Sequence, residues 1–99
     1  MIIHNVTFCA DRSLADELLL WVREVYAPAA GACGLESMML ARVMGSPDPA
    51  TESFALQLRA EGLGAVKAWM RGQGGRLAED AARMWGDRVV LFPTNLQVL

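Results

Sequence analysis

The chain opens with an alternating pattern whose period of two predicts a half-buried β-strand over residues 2–10. One face of this strand carries Ile2, His4, Val6 and Phe8, and the other carries Ile3, Asn5, Thr7 and Cys9. Residues 51–60 alternate in the same way, with Phe54, Leu56 and Leu58 on one face and Ala55, Gln57 and Arg59 on the other. Both segments therefore predict strands that cover a core with one face.

Between these two strands the apolar period lengthens to that of an amphipathic helix. The apolar positions of this helix are Leu14, Leu18, Trp21, Val22 and Val25. Ser13 precedes them and is a favourable N-cap residue. Pro28 is predicted to end or kink the helix near Tyr26, because proline lacks a backbone donor and clashes with the preceding turn.

A second helical pattern begins at Leu63 and is interrupted by the glycines of segment 72–75. Each glycine inside a helix costs about 1 kcal/mol relative to alanine, so two helical segments are predicted, at about 63–71 and 75–85. The glycines do not follow a strand, and a helix break is therefore favoured over a phosphate-binding loop.

Two further strands complete the pattern, at residues 35–44 and 88–92. Segment 45–49, Gly-Ser-Pro-Asp-Pro, predicts a turn and hence a hairpin between the second and third strands. Pro93 is predicted to interrupt or end the fourth strand, and residues 94–99 are predicted to form a tail.

The order of elements is β-α-β-β-α-β, which predicts one α+β domain over residues 1–99 with the ferredoxin-like topology. Right-handed crossovers then give a four-stranded antiparallel sheet in the order 4-1-3-2, with both helices on one face. The fourth strand lies at an edge in this order, where a proline such as Pro93 is tolerated.

The sheet face without helices is predicted to pack against a second copy of the chain. Its flanking strands are assigned the apolar residues Met38, Leu40, Val90 and Phe92, and its central strands the polar residues Asn5, Thr7 and Gln57. Exposed apolar side chains favour association, and enclosed polar groups need partners. The hydrophobic fraction of 54% is high for a small domain and agrees with a homodimer. A solvated face and a dimer through edge strands are the alternatives.

Composition argues against several classes of partner. The net charge of −2 offers no basic surface for nucleic acid or an anionic membrane. RNA-binding domains of this topology also need stacking aromatics on the open face, where this chain has Asn5, Thr7, Ala55 and Gln57. No apolar run approaches the roughly 20 residues of a membrane span, and the N-terminal residues do not resemble a signal peptide, so a cytoplasmic location is expected.

Cys9 and Cys33 form no C-x-x-C pair and are predicted to be reduced, mostly buried thiols. No metal site and no cofactor are predicted. His4 is the single histidine and would have to serve as any imidazole base, although a packed or surface histidine is the commoner situation.

The strongest polar constellation is predicted on the open face of the sheet. It consists of Asn5, Thr7, Arg42, Gln57 and Arg59, with Tyr26 as a further residue able to line a pocket between sheet and helices. Asparagine and glutamine both donate and accept hydrogen bonds, and arginine holds anions. These six residues are the candidate ligand-binding set, with hydrogen bonding between subunits as the alternative role. No catalytic residue is assigned.

Four segments carry a resemblance to a known family. They are residues 1–7 (MIIHNVT), 21–28 (WVREVYAP), 54–58 (FALQL) and 86–92 (GDRVVLF), and together they resemble the bacterial domain of unknown function 4286. That family is similar to the dimeric α-β barrel proteins, so the resemblance implies the same fold and a dimer but no activity. Members commonly have a histidine where Tyr26 stands and an aromatic residue where His4 stands.

The function predicted from these observations is small-molecule binding by a homodimer, at the sheet or at the dimer interface. The alternative is a cofactor-free barrel enzyme, of the monooxygenase or isomerase type, acting on a hydrophobic substrate. Related barrels bind small molecules between sheet and helices, and some carry out oxidation without a cofactor. An enclosed cavity of roughly a few hundred Å³ lined by Tyr26, His4 or Asn5 is expected to favour the enzyme, and a solid, dry interface to argue against it.

Overall fold

The computed structural model describes residues 1–45 and 48–99. Its strands are β1 (Ile2–Asp11), β2 (Glu36–Arg42), β3 (Thr51–Ala60) and β4 (Val89–Gln97). Its α-helices are α1 (Ala15–Trp21), α2 (Ala27–Ala32), α3 (Leu63–Arg71) and α4 (Gln73–Trp85). A π-helical turn, Val22–Tyr26, joins α1 to α2, and short 3₁₀ turns occupy Arg12–Leu14 and Gly86–Arg88.

The four strands form one open antiparallel sheet in the order β2-β3-β1-β4. This is the predicted order, and the α+β architecture is confirmed. The predicted faces of the two central strands are also correct, because His4, Val6 and Phe8 of β1 are buried together with Phe54 and Leu56 of β3. The helices cover this face, and we call the other one the open face.

β4 is longer than the sequence predicts. It continues through Pro93, which lies opposite Val6, and its last residues pair with the beginning of β1. Proline is tolerated here because β4 is an edge strand with one neighbour, so not every residue of it has to donate a backbone hydrogen bond. The predicted tail is therefore wrong over residues 94–97, and Asn95 lies directly opposite His4.

The predicted face assignment fails in β2. Its pairing with β3 shifts between Ser37 and Met39, which leaves Met38 as the extra residue of a β-bulge. Leu40 pairs with Leu56, and Arg42 pairs with Phe54, so both lie on the helix-covered face. The prediction that Leu40 and Arg42 belong to the open face is wrong, because one inserted residue exchanges the faces of every residue that follows it.

The helical segment after β1 does not stop at Pro28. That proline lies in the first turn of α2, and the π-helical turn precedes it. A proline in a first turn requires no backbone donor, so the chain remains helical as far as Ala32. Ser13 caps no helix; its hydroxyl oxygen accepts a hydrogen bond from Arg88 at 3.2 Å.

The helix break in the glycine segment is confirmed, but it is confined to Gly72, and α4 begins at Gln73 instead of residue 75. Gly74 is buried against Trp69, and a Cβ added to it would lie 2.5 Å from the indole Cε2. A Cβ on Gly75 would lie 2.6 Å from the carbonyl oxygen of Met70. Both glycines are therefore required by close packing between α3 and α4.

Three other predictions concern the turn before β3, the two cysteines and membrane spans. Ser46 and Pro47 of the predicted turn at 45–49 lie outside the described residues. Cys9 is half-buried on the open face and Cys33 is exposed, so the predicted burial of Cys33 is wrong; both are free thiols. Within residues 1–45 and 48–99, no helix has the length and apolar character needed to cross a membrane.

Candidate functional site

A cavity of about 130 Å³ lies between the sheet and the helices, on the side of β1 and β4. Its walls are mainly apolar and aromatic, and two polar side chains, His4 and Tyr26, face into it. The other lining residues are Val6, Trp69, Met70, Gly74, Gly75, Ala78, Leu91 and Pro93. An apolar cavity with a few polar groups is the usual form of a small-molecule site.

The π-helical turn positions Tyr26 in this cavity. It brings the rings of Trp21 and Tyr26, five residues apart, to a centroid separation of 5.6 Å. Phe8 from β1 and Trp69 from α3 pack edge-on against the phenol ring, at 5.1 and 5.5 Å. Such edge-to-face pairs stabilise beyond the area they bury, so the orientation of Tyr26 is well defined.

The Tyr26 side chain is 3% exposed. Burial raises the pKa of Tyr26 to about 12, because a phenolate would lose its hydration, while a hydrogen bond with the Trp69 side chain acts in the opposite direction. The phenol is therefore neutral across the physiological range. In this state it can donate a hydrogen bond to a ligand in the cavity but cannot serve as a base.

His4 is the second polar group of the cavity and is 1% exposed. Its Nδ1 lies 2.7 Å from Oδ1 of Asn95, across the β1–β4 pair. An amide oxygen only accepts, so Nδ1 carries the hydrogen, and in this tautomer Nε2 keeps a lone pair. Among the described residues, every fully buried side-chain nitrogen has a hydrogen-bond partner, whereas His4 Nε2 makes no hydrogen bond with the protein. Nε2 is therefore not fully buried. We infer that Nε2 reaches the open space of the cavity.

Sequence reasoning missed three residues of this site. Asn95 was assigned to a tail, although only the extension of β4 beyond Pro93 brings it to His4. Gly74 and Gly75 were interpreted as a helix break, whereas they also line the cavity beside the Trp69 indole. The sequence carries no alternation that could have placed Asn95, because residues 89–92 are all apolar and Thr94 and Asn95 are both polar.

The six predicted ligand residues are not brought together. Only Tyr26 lines the cavity. Asn5, Thr7, Gln57 and Arg59 lie on the open face, where the Asn5 Nδ2 donates to the Thr7 Oγ1 at 3.2 Å. Arg42 is on the helix-covered side, with its Nε 2.7 Å from Glu52 Oε1 and its guanidinium 5.5 Å from the centre of the Phe54 ring.

The open face has a polar centre and a partly apolar border. Asn5 and Thr7 lie beside Thr94 and Phe92 of β4, and beside Gln57 and Ala55 of β3. The exposed apolar side chains of the border include Met39, Val43, Val90, Phe92 and Leu96. Three of the four predicted interface residues, Met38, Val90 and Phe92, are at least 40% exposed.

Residues 1–45 and 48–99 contain no group of three or more histidine, cysteine or acidic side chains arranged to hold a metal ion. The polar groups that line the cavity are the imidazole of His4 and the neutral phenol of Tyr26, beside the aromatic ring of Trp69.

The family resemblance is borne out by comparison over the whole chain. The family described as domain of unknown function (DUF4286) matches residues 1–99. The chain belongs to this family. No functionally curated protein matches its sequence.

A solved structure shares the fold. It is a Deinococcus radiodurans protein described as a "putative antibiotic biosynthesis monooxygenase", with a TM-score of 0.64 and 20% identity. The alignment covers 100% of this chain and 93% of that chain. At this identity the likeness establishes the fold alone.

Two of the positions at which this chain departs from the pattern that the resemblance implies, Tyr26 and His4, line this cavity.

Proposed function

We propose that this protein binds a small, mainly apolar molecule in the cavity between sheet and helices, and that it acts as a homodimer through the open face. The observation that carries the binding proposal is the pairing of a buried imidazole and a buried phenol in one apolar cavity. A few polar groups at the wall of an apolar cavity are typical of a small-molecule site, and His4 keeps one ring nitrogen, Nε2, for a ligand.

The cavity volume restricts the ligand. An apolar cavity of about 150 Å³ binds a benzene molecule, so about 130 Å³ limits the enclosed part of a ligand to roughly a single ring or a short branched chain. A fused multi-ring compound would require the helices to move or would extend past the exposed rim residues Met70 and Ala78. A single ring bearing one hydroxyl group fits both the volume and the polar groups.

Recognition of that hydroxyl follows from the hydrogen-bond pattern of the cavity. Asn95 fixes the His4 tautomer, so Nε2 accepts the ligand's hydroxyl hydrogen. The neutral Tyr26 phenol donates to a ligand oxygen. A phenol therefore matches the site better than an apolar ring of the same size.

The homodimer is supported by the composition of the open face. Its exposed border residues, among them Met39, Val90 and Phe92, would be removed from water on association. The polar groups of its centre, Asn5, Thr7 and Gln57, can hydrogen-bond across a two-fold axis, because a symmetric interface brings each patch against its own copy. A cytoplasmic location remains the expectation from the sequence.

The binding proposal is tested with phenol and toluene, which are matched in size. Titration followed by NMR should show phenol causing chemical-shift changes at His4 and Trp69, with toluene binding more weakly. Ala78→Trp should abolish binding, because this exposed residue lines the cavity and a large side chain would fill its entrance.

Ala82→Trp is the matched control, since Ala82 is exposed one turn later in α4 and does not line the cavity. Phenol binding equal in both variants would contradict the proposed location. Equal affinity for phenol and toluene would contradict the roles of His4 and Tyr26.

Cofactor-free oxygenation is a second candidate function. It is favoured by the lone pair of His4 Nε2, a base facing a mainly apolar cavity, and by the description of the Deinococcus radiodurans neighbour as a monooxygenase. His4 Nε2 would take the hydroxyl proton of a phenolic substrate, and the ring carbon para to the phenolate oxygen would add dioxygen and recover that proton as a hydroperoxide. Loss of water would then leave a quinone, so that one oxygen atom enters the product and the other leaves as water. Oxygen uptake in the presence of monocyclic phenols and hydroquinones, lost in His4→Ala but retained in Ala82→Trp, would support this activity.

A further inference from the structure

A second concave region lies on the helix side, outside the cavity already described. This groove runs between the outer face of α1 with its π-helical turn and the end of α4, and its volume is about 490 Å³. Its lining consists of Glu17, Leu20, Trp21, Glu24, Val25, Met84 and Trp85. Leu20, Val25 and Met84 are each at least 42% exposed, although they are apolar.

The indoles of Trp21 and Trp85 meet in the groove, and we call this pair the aromatic corner. The rings of Trp21 and Trp85 are 5.5 Å apart between centroids and meet at 89°. Glu17 fixes the position of the Trp85 ring by accepting a hydrogen bond from its indole nitrogen. Both indoles line the groove, and tryptophan gives the strongest cation–π attraction of the aromatic side chains.

The charge of the groove has one sign. Glu17 and Glu24 are seven residues apart, about 10 Å along a helix, and the groove contains no lysine or arginine. Within the described residues, Glu24 makes no ion pair or side-chain hydrogen bond, so its carboxylate is available. A carboxylate at each end and indoles between them are complementary to a cation with an apolar body.

We propose that this groove binds an organic cation, an ammonium group carried on a small apolar body. The apolar part contacts Leu20 and Met84, and the ammonium lies against the indoles with Glu24 as its counter-ion. The volume of about 490 Å³ falls within the usual range of roughly 300–1,000 Å³ for small-molecule sites. This proposal does not depend on the function assigned to the sheet–helix cavity.

A small organic cation matches more features of the groove than an anionic membrane surface or a second copy of the chain does. An anionic membrane surface would be repelled by Glu17 and Glu24. A second copy of this acidic chain would bring like charges together at a two-fold axis, unless basic residues from elsewhere faced them. An ammonium ion uses the aromatic corner and the free carboxylate at the same time.

The test uses choline and 3,3-dimethylbutan-1-ol, which have the same shape but differ in charge. NMR titration should show choline shifting the indole N–H resonances of Trp21 and Trp85, with the uncharged isostere at least about fivefold weaker, as expected for a cation–π contact of about 1 kcal/mol. Glu24→Gln should weaken choline binding by a similar factor, and Glu79→Gln, a carboxylate outside the groove, should not.

Three outcomes would overturn the proposal. Equal binding of choline and its isostere would make the groove a non-selective apolar patch. Unchanged choline affinity in Glu24→Gln, in a variant with a native-like spectrum, would remove the counter-ion. A dimer that dissociates in Met84→Arg would show that a second copy covers the groove, and choline would then have no access.

Discussion

The two faces of the sheet are made by alternate residues of the same strands, yet they deal with polar side chains in opposite ways. On the helix-covered face, His4 is enclosed and its Nδ1 has a protein partner in Asn95. On the open face, Asn5 and Thr7 bond to one another beside exposed apolar residues. The covered face thus gives its buried polar group a partner across the strand pair and has a defined cavity beside it, whereas the polar centre of the open face remains accessible.

The largest effect is expected on the open face. Phe92→Arg should weaken dimerisation by about 3–5 kcal/mol, because the proposed interface would have to bury an unpaired charge. Sedimentation at micromolar concentration measures this as a shift from dimer to monomer. Val98→Arg is the control, since Val98 is similarly exposed but lies beyond the end of β4. A wild-type monomer under these conditions would contradict the dimer.

The next effect concerns the covered face at alkaline pH. The folded pKa of Tyr26 is about 12, above the reference value of 10.0. Below pH 10 both states hold the proton, so stability is unaffected; between pH 10 and 12 only the unfolded state loses it, and the free energy of unfolding falls by roughly 2–3 kcal/mol.

Urea titrations at several pH values measure this slope, and Tyr26→Phe should flatten it relative to the wild type. Tyr26 is the single tyrosine, so the near-ultraviolet absorbance of tyrosinate reports its ionisation directly. An ordinary pKa near 10 in the folded protein would contradict the buried phenol.

A smaller loss of stability is expected where the helices meet above the cavity. Gly74→Ala should destabilise by about 2 kcal/mol, because the added Cβ would overlap the Trp69 indole. Gly64→Ala in α3 should be neutral or stabilise by roughly 0.5 kcal/mol, since nothing lies within 4 Å of its added Cβ. Chemical denaturation of the two variants distinguishes close packing from a general intolerance of alanine.

The smallest effect tests the bulge in β2, which decides which residues belong to each face. Leu40→Ala should cost about 1–2 kcal/mol, because Leu40 packs against the core, while Met39→Ala should cost less than about 0.5 kcal/mol in the monomer. Thermal unfolding measures both. The reverse order would restore the register expected from simple alternation.

The features that could be predicted from the sequence are those that depend on residues close together along the chain. β1, β3 and both helical patterns were predictable, because alternation and helical period are written locally and the core reinforces them. The strand order followed from general crossover rules, and the structure confirms it. In the candidate site, Tyr26 and the helix-facing position of His4 were anticipated.

Features that depend on pairing between distant segments could not be predicted from local patterns. The bulge at Met38 exists because β2 must fit the register of β3, and it moved Leu40 and Arg42 to the covered face. Asn95 reaches His4 because β1 offers β4 a ladder that continues past Pro93. Local patterns in the sequence are enough to predict which residues alternate and which form helices. The contact between His4 and Asn95 depends instead on the register of β1 and β4, which neither strand specifies alone.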